Sequence, residues 1–149
     1  MKIDCFDGEY AFLSNFYPSP IKGDDGIMYP TVEHFFQAMK TEDLDYRQRI
    51  AWAATPGQAK RMGRKLELRP DWESVKGEYM WIGLVKKFSF PEMKRLLLDT
   101  DDATLIEGNT WHDNYWGNCT CERCVDKTGL NRLGSLLMDL REEFRYGEL

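Results

Sequence analysis

PTVEHFFQAMK, residues 30–40, is the stretch from which the fold is read. Pro30-Thr31 offers a turn and an N-cap, and Glu33 falls in the first helical turn. At about 100° per residue, Val32, Phe35, Phe36 and Met39 fall on one face, the buried stripe of an amphipathic helix. Glu33, Gln37 and Lys40 make a second stripe along the edge of that face. Two readings of this stripe stand. One is a solvated, charged helix edge, as most such stripes are. The other is a carboxylate and an amine two turns apart, lining a cleft where partial desolvation lets them act as acid, base or nucleophile.

The helical period recurs along the chain. DYRQRIAWAA (45–54) predicts a second helix, and Thr55-Pro56 opens a third, PGQAKRMGRKL (56–66), with proline at the favoured first position. DWESVKGEYMWIGLVKKF (71–88) is longer, and PEMKRLLLD (91–99) follows it. NRLGSLLMDLREEFR (131–145) closes the chain with Leu133, Leu136, Leu137 and Leu140 at helical spacing. FDGEYAFLSNFYPSP (6–20) is expected as loop or short strand, IKGDDGIMYP (21–30) as a hairpin turning at Gly23 to Gly26, and ATLIEG (103–108) as a strand. No repeat, low-complexity tract or linker interrupts these elements. The expected fold class is mainly α (α+β), one compact domain over residues 1–149 with a few short strands.

A chain of 149 residues is long enough for one sizeable core. A formal charge of -5 argues against a general electrostatic binder of nucleic acid, so any phosphate contact has to come from a local cluster. AKRMGRK (59–65) is one, with Lys60, Arg61, Arg64 and Lys65 around Gly63, whose missing side chain allows close approach. No apolar run is long enough to span a membrane and no signal peptide opens the sequence, so a cytoplasmic location is the expectation.

Aromatic residues reach 13%, and NTWHDNYWG (109–117) concentrates them among polar groups without helical or strand period. Trp72 lies in register with Val75, Tyr79 and Ile82, which reads either as core or as a wall on which a base stacks. Of four cysteines, Cys119, Cys121 and Cys124 fall in CTCERC. With nothing to suggest export, free thiols or a metal are the live readings. Three thiolates leave a tetrahedral zinc one ligand short, and Cys5 or His112 could supply it, neither at a diagnostic spacing. A structural zinc is the better of the metal readings, ahead of a catalytic one.

Six of these segments occur in an order that resembles the NADAR, or YbiA-like, family: FLSNF (12–16), YPTVEHFFQAMK (29–40), AKRMGRKL (59–66), RPDWESVK (69–76), WHDNYWG (111–117) and NRLGSLLMDLRE (131–142). Any one motif is weak, but six in order span nearly the whole chain. The resemblance implies a compact, mainly helical domain that hydrolyses N-glycosidic bonds without a required cofactor. Two substrate types are implied: ADP-ribose on a nucleobase, notably guanine in DNA or RNA, and a phosphorylated ribosylamino-pyrimidine of the riboflavin pathway. Positions implicated in activity carry over to Glu33, Trp72 and Asp113, and the lysine closing the first helix motif matches Lys40. The match departs at NCTCERCVDKTG (118–129), where many family members have a short glycine-rich stretch.

Cleaving an N-ribosyl bond builds positive charge at C1' and on the ring oxygen while the base departs. Two carboxylates serve this need in glycoside hydrolases, an analogy that makes Glu33 and Asp113 the expected pair, one positioning water and the other binding ribose hydroxyls. Lys40 offers a second route, attack on C1' of an opened sugar to give a Schiff base. Asn114, Trp116 and Gly117 are expected beside the sugar, and Phe12, Ser14, Asn15 and Phe16 as another wall. Gln37 is expected to bind substrate next to Glu33, with Arg61 and Arg64 on the phosphates. The rivals are the riboflavin-type hydrolase, a non-catalytic ADP-ribose or nucleotide reader, and a zinc-organised nucleic-acid adaptor, which the acidic charge disfavours.

Overall fold

The computed structural model describes residues 1–147 and 149. In chain order the elements are β1 (Lys2–Ile3), a 3-10 helix (Gly8–Leu13), β2 (Ile21–Lys22), β3 (Met28–Tyr29), α1 (Val32–Ala38), α2 (Leu44–Ala51), α3 (Pro56–Arg64) and α4 (Trp72–Phe88). They continue with α5 (Pro91–Leu98), β4 (Thr104–Leu105), β5 (Gly108–Asn109), β6 (Asn118–Cys119) and α6 (Arg132–Arg145). The chain is mainly helical with a few two-residue strands. Among the described residues no helix is long and apolar enough to cross a membrane. One expectation fails locally: residues 8–13 form a helix, not loop or strand. Gly8 takes φ 56°, a left-handed turn open to glycine, and Tyr10 N–H then closes on the Asp7 carbonyl at 2.9 Å.

The elements gather into two compact units, Asn15–Phe90 and Met1–Ser14 with Pro91–Leu149. In the first, α1 is packed by α2, α3 and α4. Thr31 caps it, its hydroxyl accepting from His34 N–H at 3.1 Å. With neighbours on three sides, all seven residues of α1 are buried, so the second stripe is not a solvated edge. α4 approaches closely at Gly83, where a Cβ would stand 3.1 Å from the Phe35 ring and 3.2 Å from Val32. The hairpin β2–β3 turns as expected, with Gly26 at φ 84° and its N–H on the Gly23 carbonyl at 2.9 Å. Asp25 accepts from the Tyr29 hydroxyl at 2.7 Å and pairs with Arg47 at 3.2 Å, tying the hairpin to α2.

Lys87, 0% exposed near the end of α4, has its Nζ 5.6 Å from the Tyr17 ring centre and 5.0 Å from that of Phe88. Burial lowers its pKa from 10.5 to about 7. Between those values the folded chain holds a neutral amine and the unfolded chain a charged one. The unfolded state therefore binds the extra proton, and stability rises with pH across that window, by up to about 1.4 kcal/mol per pH unit. Lys87→Met should flatten this rise in urea midpoints measured between pH 7 and pH 10. An unchanged slope would show that Lys87 does not titrate there.

In the other unit, β1 runs parallel to β4, with Lys2 opposite Thr104 and Ile3 opposite Leu105. α6 packs on β4 and α5, and α5 on the 3-10 helix. Leu133, Leu137, Leu140 and Phe144 are buried as the helical spacing predicts, while Leu136 is half-buried at the edge. Gly134 admits the strand: a Cβ there would run into the Leu105 carbonyl. Asn131, left-handed at φ 50°, joins strand to helix, donating to the Leu105 carbonyl at 2.9 Å and accepting from Glu107 N–H at 3.0 Å.

Candidate functional site

Two places carry the expected residues, one in each unit. In Asn15–Phe90 the centre is Glu33, 8% exposed, with Gln37 one turn on and 4% exposed. Gln37 Nε2 donates to Glu33 Oε2 at 3.3 Å, and Glu33 N–H donates to the Asn15 carbonyl at 3.1 Å. Gln37 Oε1 and Asn15 Oδ1 are buried without a hydrogen-bond donor. Buried acceptors are ordinarily satisfied, so two orphans, one on the residue bonded to the Glu33 carboxylate and one on the residue bonded to its backbone, mark a place where stability has been conceded. α3 comes close beside them: a Cβ at Gly63 would collide with the Gln37 amide.

Lys40 is half-buried two turns beyond Glu33, its Nζ 6.0 Å from the Phe36 ring centre. Burial lowers its pKa, Glu33 opposes that shift, and Arg64, Lys60 and Lys76 reinforce it. Lys40 therefore stands among one carboxylate and three cations, so the electrostatics join Arg64 to the Glu33 row. Arg61 is exposed, one position round the helix, and its guanidinium turns back toward Gly57.

Trp72 is 5% exposed. Its ring lies 5.1 Å from Phe36 and stacks on Tyr79 at 6.4 Å with 14° between planes. Arg69 sets this position. Its N–H donates to the Lys40 carbonyl at 2.8 Å, and its guanidinium bonds Asp71 at 2.6 Å and the Tyr79 hydroxyl at 3.1 Å. The register read from the sequence for Trp72 and Tyr79 is the one in which their rings stack. Sequence reasoning assigned Arg69 no role, although arginine before Pro-Asp-Trp hints at a side chain reaching back. It also passed over His34, which is structural. Its Nε2 sits 3.0 Å from the Ala53 carbonyl, so the proton belongs there, leaving Nδ1 to accept from the Thr31 hydroxyl at 2.8 Å. Burial lowers its pKa and keeps it neutral.

In the other unit the loop 109–117 is organised by its polar residues. Asn109 accepts from the N–H groups of Trp111 (3.3 Å) and Asp113 (3.2 Å) and donates to the Asp113 carbonyl at 2.8 Å. Asp113 Oδ1 accepts from Tyr115 N–H at 3.1 Å and Trp116 N–H at 2.9 Å. Asn114 Oδ1 accepts from Cys119 N–H at 2.8 Å. The loop's carbonyls then receive the start of α6: Leu130 N–H on Asn114, Asn131 on Gly117, Arg132 on Tyr115 and Leu133 on Trp116, all between 2.8 and 3.2 Å. These contacts serve where a side-chain cap is missing from α6. Gly117 is required, since a Cβ would strike Glu107.

Tyr115 and Trp116 meet edge to face at 4.8 Å, whereas Trp111 is 57% exposed. Phe12 is buried in this unit's core, Ser14 is half-buried and Phe16 is exposed. Cys119, Cys121 and Cys124 gather around His112 as a set of four donors that could hold a metal, and Cys5, exposed, is outside it.

The comparisons agree with this architecture. A NADAR domain description matches residues 5–145. The chain is 45% identical over 138 residues to N-glycosidase YbiA of Escherichia coli (strain K12), covering 91% of this chain and 82% of that protein. The NMR structure of the E. coli protein YbiA is similar with a TM-score of 0.80 and 41% identity, over 99% of this chain and 89% of that one. Riboflavin biosynthesis protein PYRR, chloroplastic, of Zea mays is 36% identical over 151 residues, which are 90% of this chain and 23% of that protein.

Proposed function

We propose, for a chain that belongs to the NADAR domain family and is a hydrolase of N-glycosyl bonds, that its substrate is an ADP-ribosyl nucleobase, ADP-ribosyl-guanine in DNA or RNA, from which it releases ADP-ribose. The observation that carries this reading is Glu33: a buried carboxylate bonded by Gln37, whose own amide oxygen is unsatisfied, with Lys40, Lys60, Arg64 and Lys76 grouped nearby in a chain of charge -5. A buried carboxylate is suited to charge that develops at C1' and on the ring oxygen. A local group of cations in an acidic protein suits phosphates.

In the reaction, the water oxygen bonds to C1' as Glu33 takes its proton. The C1'–N electron pair leaves with the base nitrogen, which is protonated in turn. Gln37 holds the Glu33 carboxylate in place through its 3.3 Å hydrogen bond. Lys40, with its pKa lowered by burial, carries more neutral amine than an exposed lysine does and is the candidate for a covalent route. Borohydride trapping decides between the routes: a sugar adduct lost in Lys40→Ala supports the amine, and an absent adduct supports direct hydrolysis.

The test of substrate is ADP-ribose release from an oligonucleotide ADP-ribosylated on guanine, with Glu33→Gln and Asp113→Ala alongside wild type. Release by wild type with loss in Glu33→Gln is the expected result. The likeness to the Zea mays riboflavin protein favours a second substrate, a phosphorylated ribosylamino-pyrimidine. Turnover of that compound with none of the oligonucleotide would replace the first reading. Tight ADP-ribose binding without turnover of either would make the chain a reader.

A further inference from the structure

We infer that His112, Cys119, Cys121 and Cys124 form a structural zinc site that fixes the loop between β5 and α6. One donor atom from each of the four residues lies within 4.8 Å of the others. The His112 Nδ1 stands 3.2 Å from Cys121 Sγ, 3.4 Å from Cys124 Sγ and 4.0 Å from Cys119 Sγ. A zinc ion with Zn–S near 2.3 Å and Zn–N near 2.0–2.1 Å places nitrogen and sulfur about 3.6 Å apart on a tetrahedron edge. The three separations scatter around that value. Shifts of a few tenths of an ångström bring all three to the tetrahedral value.

The backbone is arranged for the same purpose. His112 N–H and Cys121 N–H both point at Cys119 Sγ, at 3.3 and 3.5 Å, as N–H groups do around a thiolate that binds metal. Cys124 N–H returns to the Cys121 carbonyl at 3.0 Å, and Lys127 N–H to the Cys124 carbonyl at 2.8 Å. These tight turns bring sulfurs two and three residues apart to one point. His112 has φ 70°, a left-handed conformation that a residue with a Cβ holds only when its surroundings impose it. That turn aims the imidazole at the sulfurs.

The donor set identifies the ion. Three thiolates and one imidazole in tetrahedral array suit Zn²⁺, which is indifferent to d-electron geometry and tolerant of mixed sulfur and nitrogen. All four positions are filled by protein, with none left for water or substrate. The site is therefore structural. Its effect falls on the neighbours: zinc locks His112, and with it the start of the segment whose Asp113 side chain and 114–117 carbonyls organise the loop. This inference is independent of the substrate reading, and its test uses no activity.

The full chain, incubated with zinc and desalted, should retain one zinc per chain by elemental analysis. Replacement by Co²⁺ should give thiolate-to-cobalt charge transfer and the strong visible bands of a tetrahedral ion. His112→Ala and Cys121→Ser should each cut retained zinc to about a tenth or less, and Cys5→Ser should leave it unchanged. In wild type, a chelator should remove zinc and shift the fluorescence of exposed Trp111 while far-UV helix content persists. Less than about a tenth of an equivalent of zinc in wild type, with no cobalt spectrum, would overturn the site. So would a thiol titration that finds two of the three clustered cysteines joined in a disulfide, or loss of the metal in Cys5→Ser.

Discussion

Glu33→Gln should lower N-glycosidic turnover by about 10²- to 10⁴-fold, the range that one positioned acid–base group contributes, while leaving the thermal transition near that of wild type. The choice of glutamine follows from the burial of α1. A helix-edge glutamate could be cut to alanine at little cost, but at 8% exposure that cut would leave a cavity and take the acceptor from Gln37 Nε2. Glutamine keeps the shape and an acceptor oxygen, and removes the charge and the proton-accepting capacity. The measurement is initial-rate release of ADP-ribose, with circular dichroism as the check on folding. A variant retaining more than about a tenth of wild-type turnover would remove Glu33 from the acid–base role.

Trp72→Ala should cost about 3–5 kcal/mol, a large share of the roughly 5–15 kcal/mol that holds a domain folded. The indole is 5% exposed, tilted on Phe36 and stacked on Tyr79, so its removal opens a cavity between α1 and α4. Urea unfolding measures the loss, and Trp72→Phe should recover much of it by keeping an aromatic face. The same pair of variants separates the two readings open at this position in the sequence. A core tryptophan lowers stability when truncated. A substrate wall would instead lower activity with the urea midpoint unmoved, and that outcome would return Trp72 to the role of a stacking surface.

Much of the fold was legible because its helices carry strong local signals. Thr31 and Thr55 cap α1 and α3 as their positions predict, Pro56 starts α3, and the leucines of α6 face inward at helical spacing. The hairpin was legible from its two glycines. What local signals do not hold is the number of neighbours around an element. Glu33 and Gln37 lie off the apolar stripe, and only packing by three other helices makes them buried. The 3-10 helix at Gly8–Leu13 was missed because its aromatic and polar mixture has no period. The loop NTWHDNYWG was unreadable for a related reason: its order comes from side-chain amides and carboxylates bonding backbone two to five residues away, a pattern with no hydrophobic signature. Of the two candidates for a fourth donor, spacing could not choose, whereas the backbone turn at His112 does.

Ile3 pairs with Leu105, and Lys2 with Thr104, across about a hundred positions of chain. During synthesis this makes the order of events unequal for the two units. Every residue of Asn15–Phe90 has been polymerised before the first strand's partner exists, so the amino-terminal segment waits unpaired while that unit is already complete in sequence. That segment carries Ile3, Phe12 and Leu13, all buried in a unit whose other residues begin at Pro91. Nascent chains stalled before Thr104 should thus expose these side chains to chaperones, and the released chain should not.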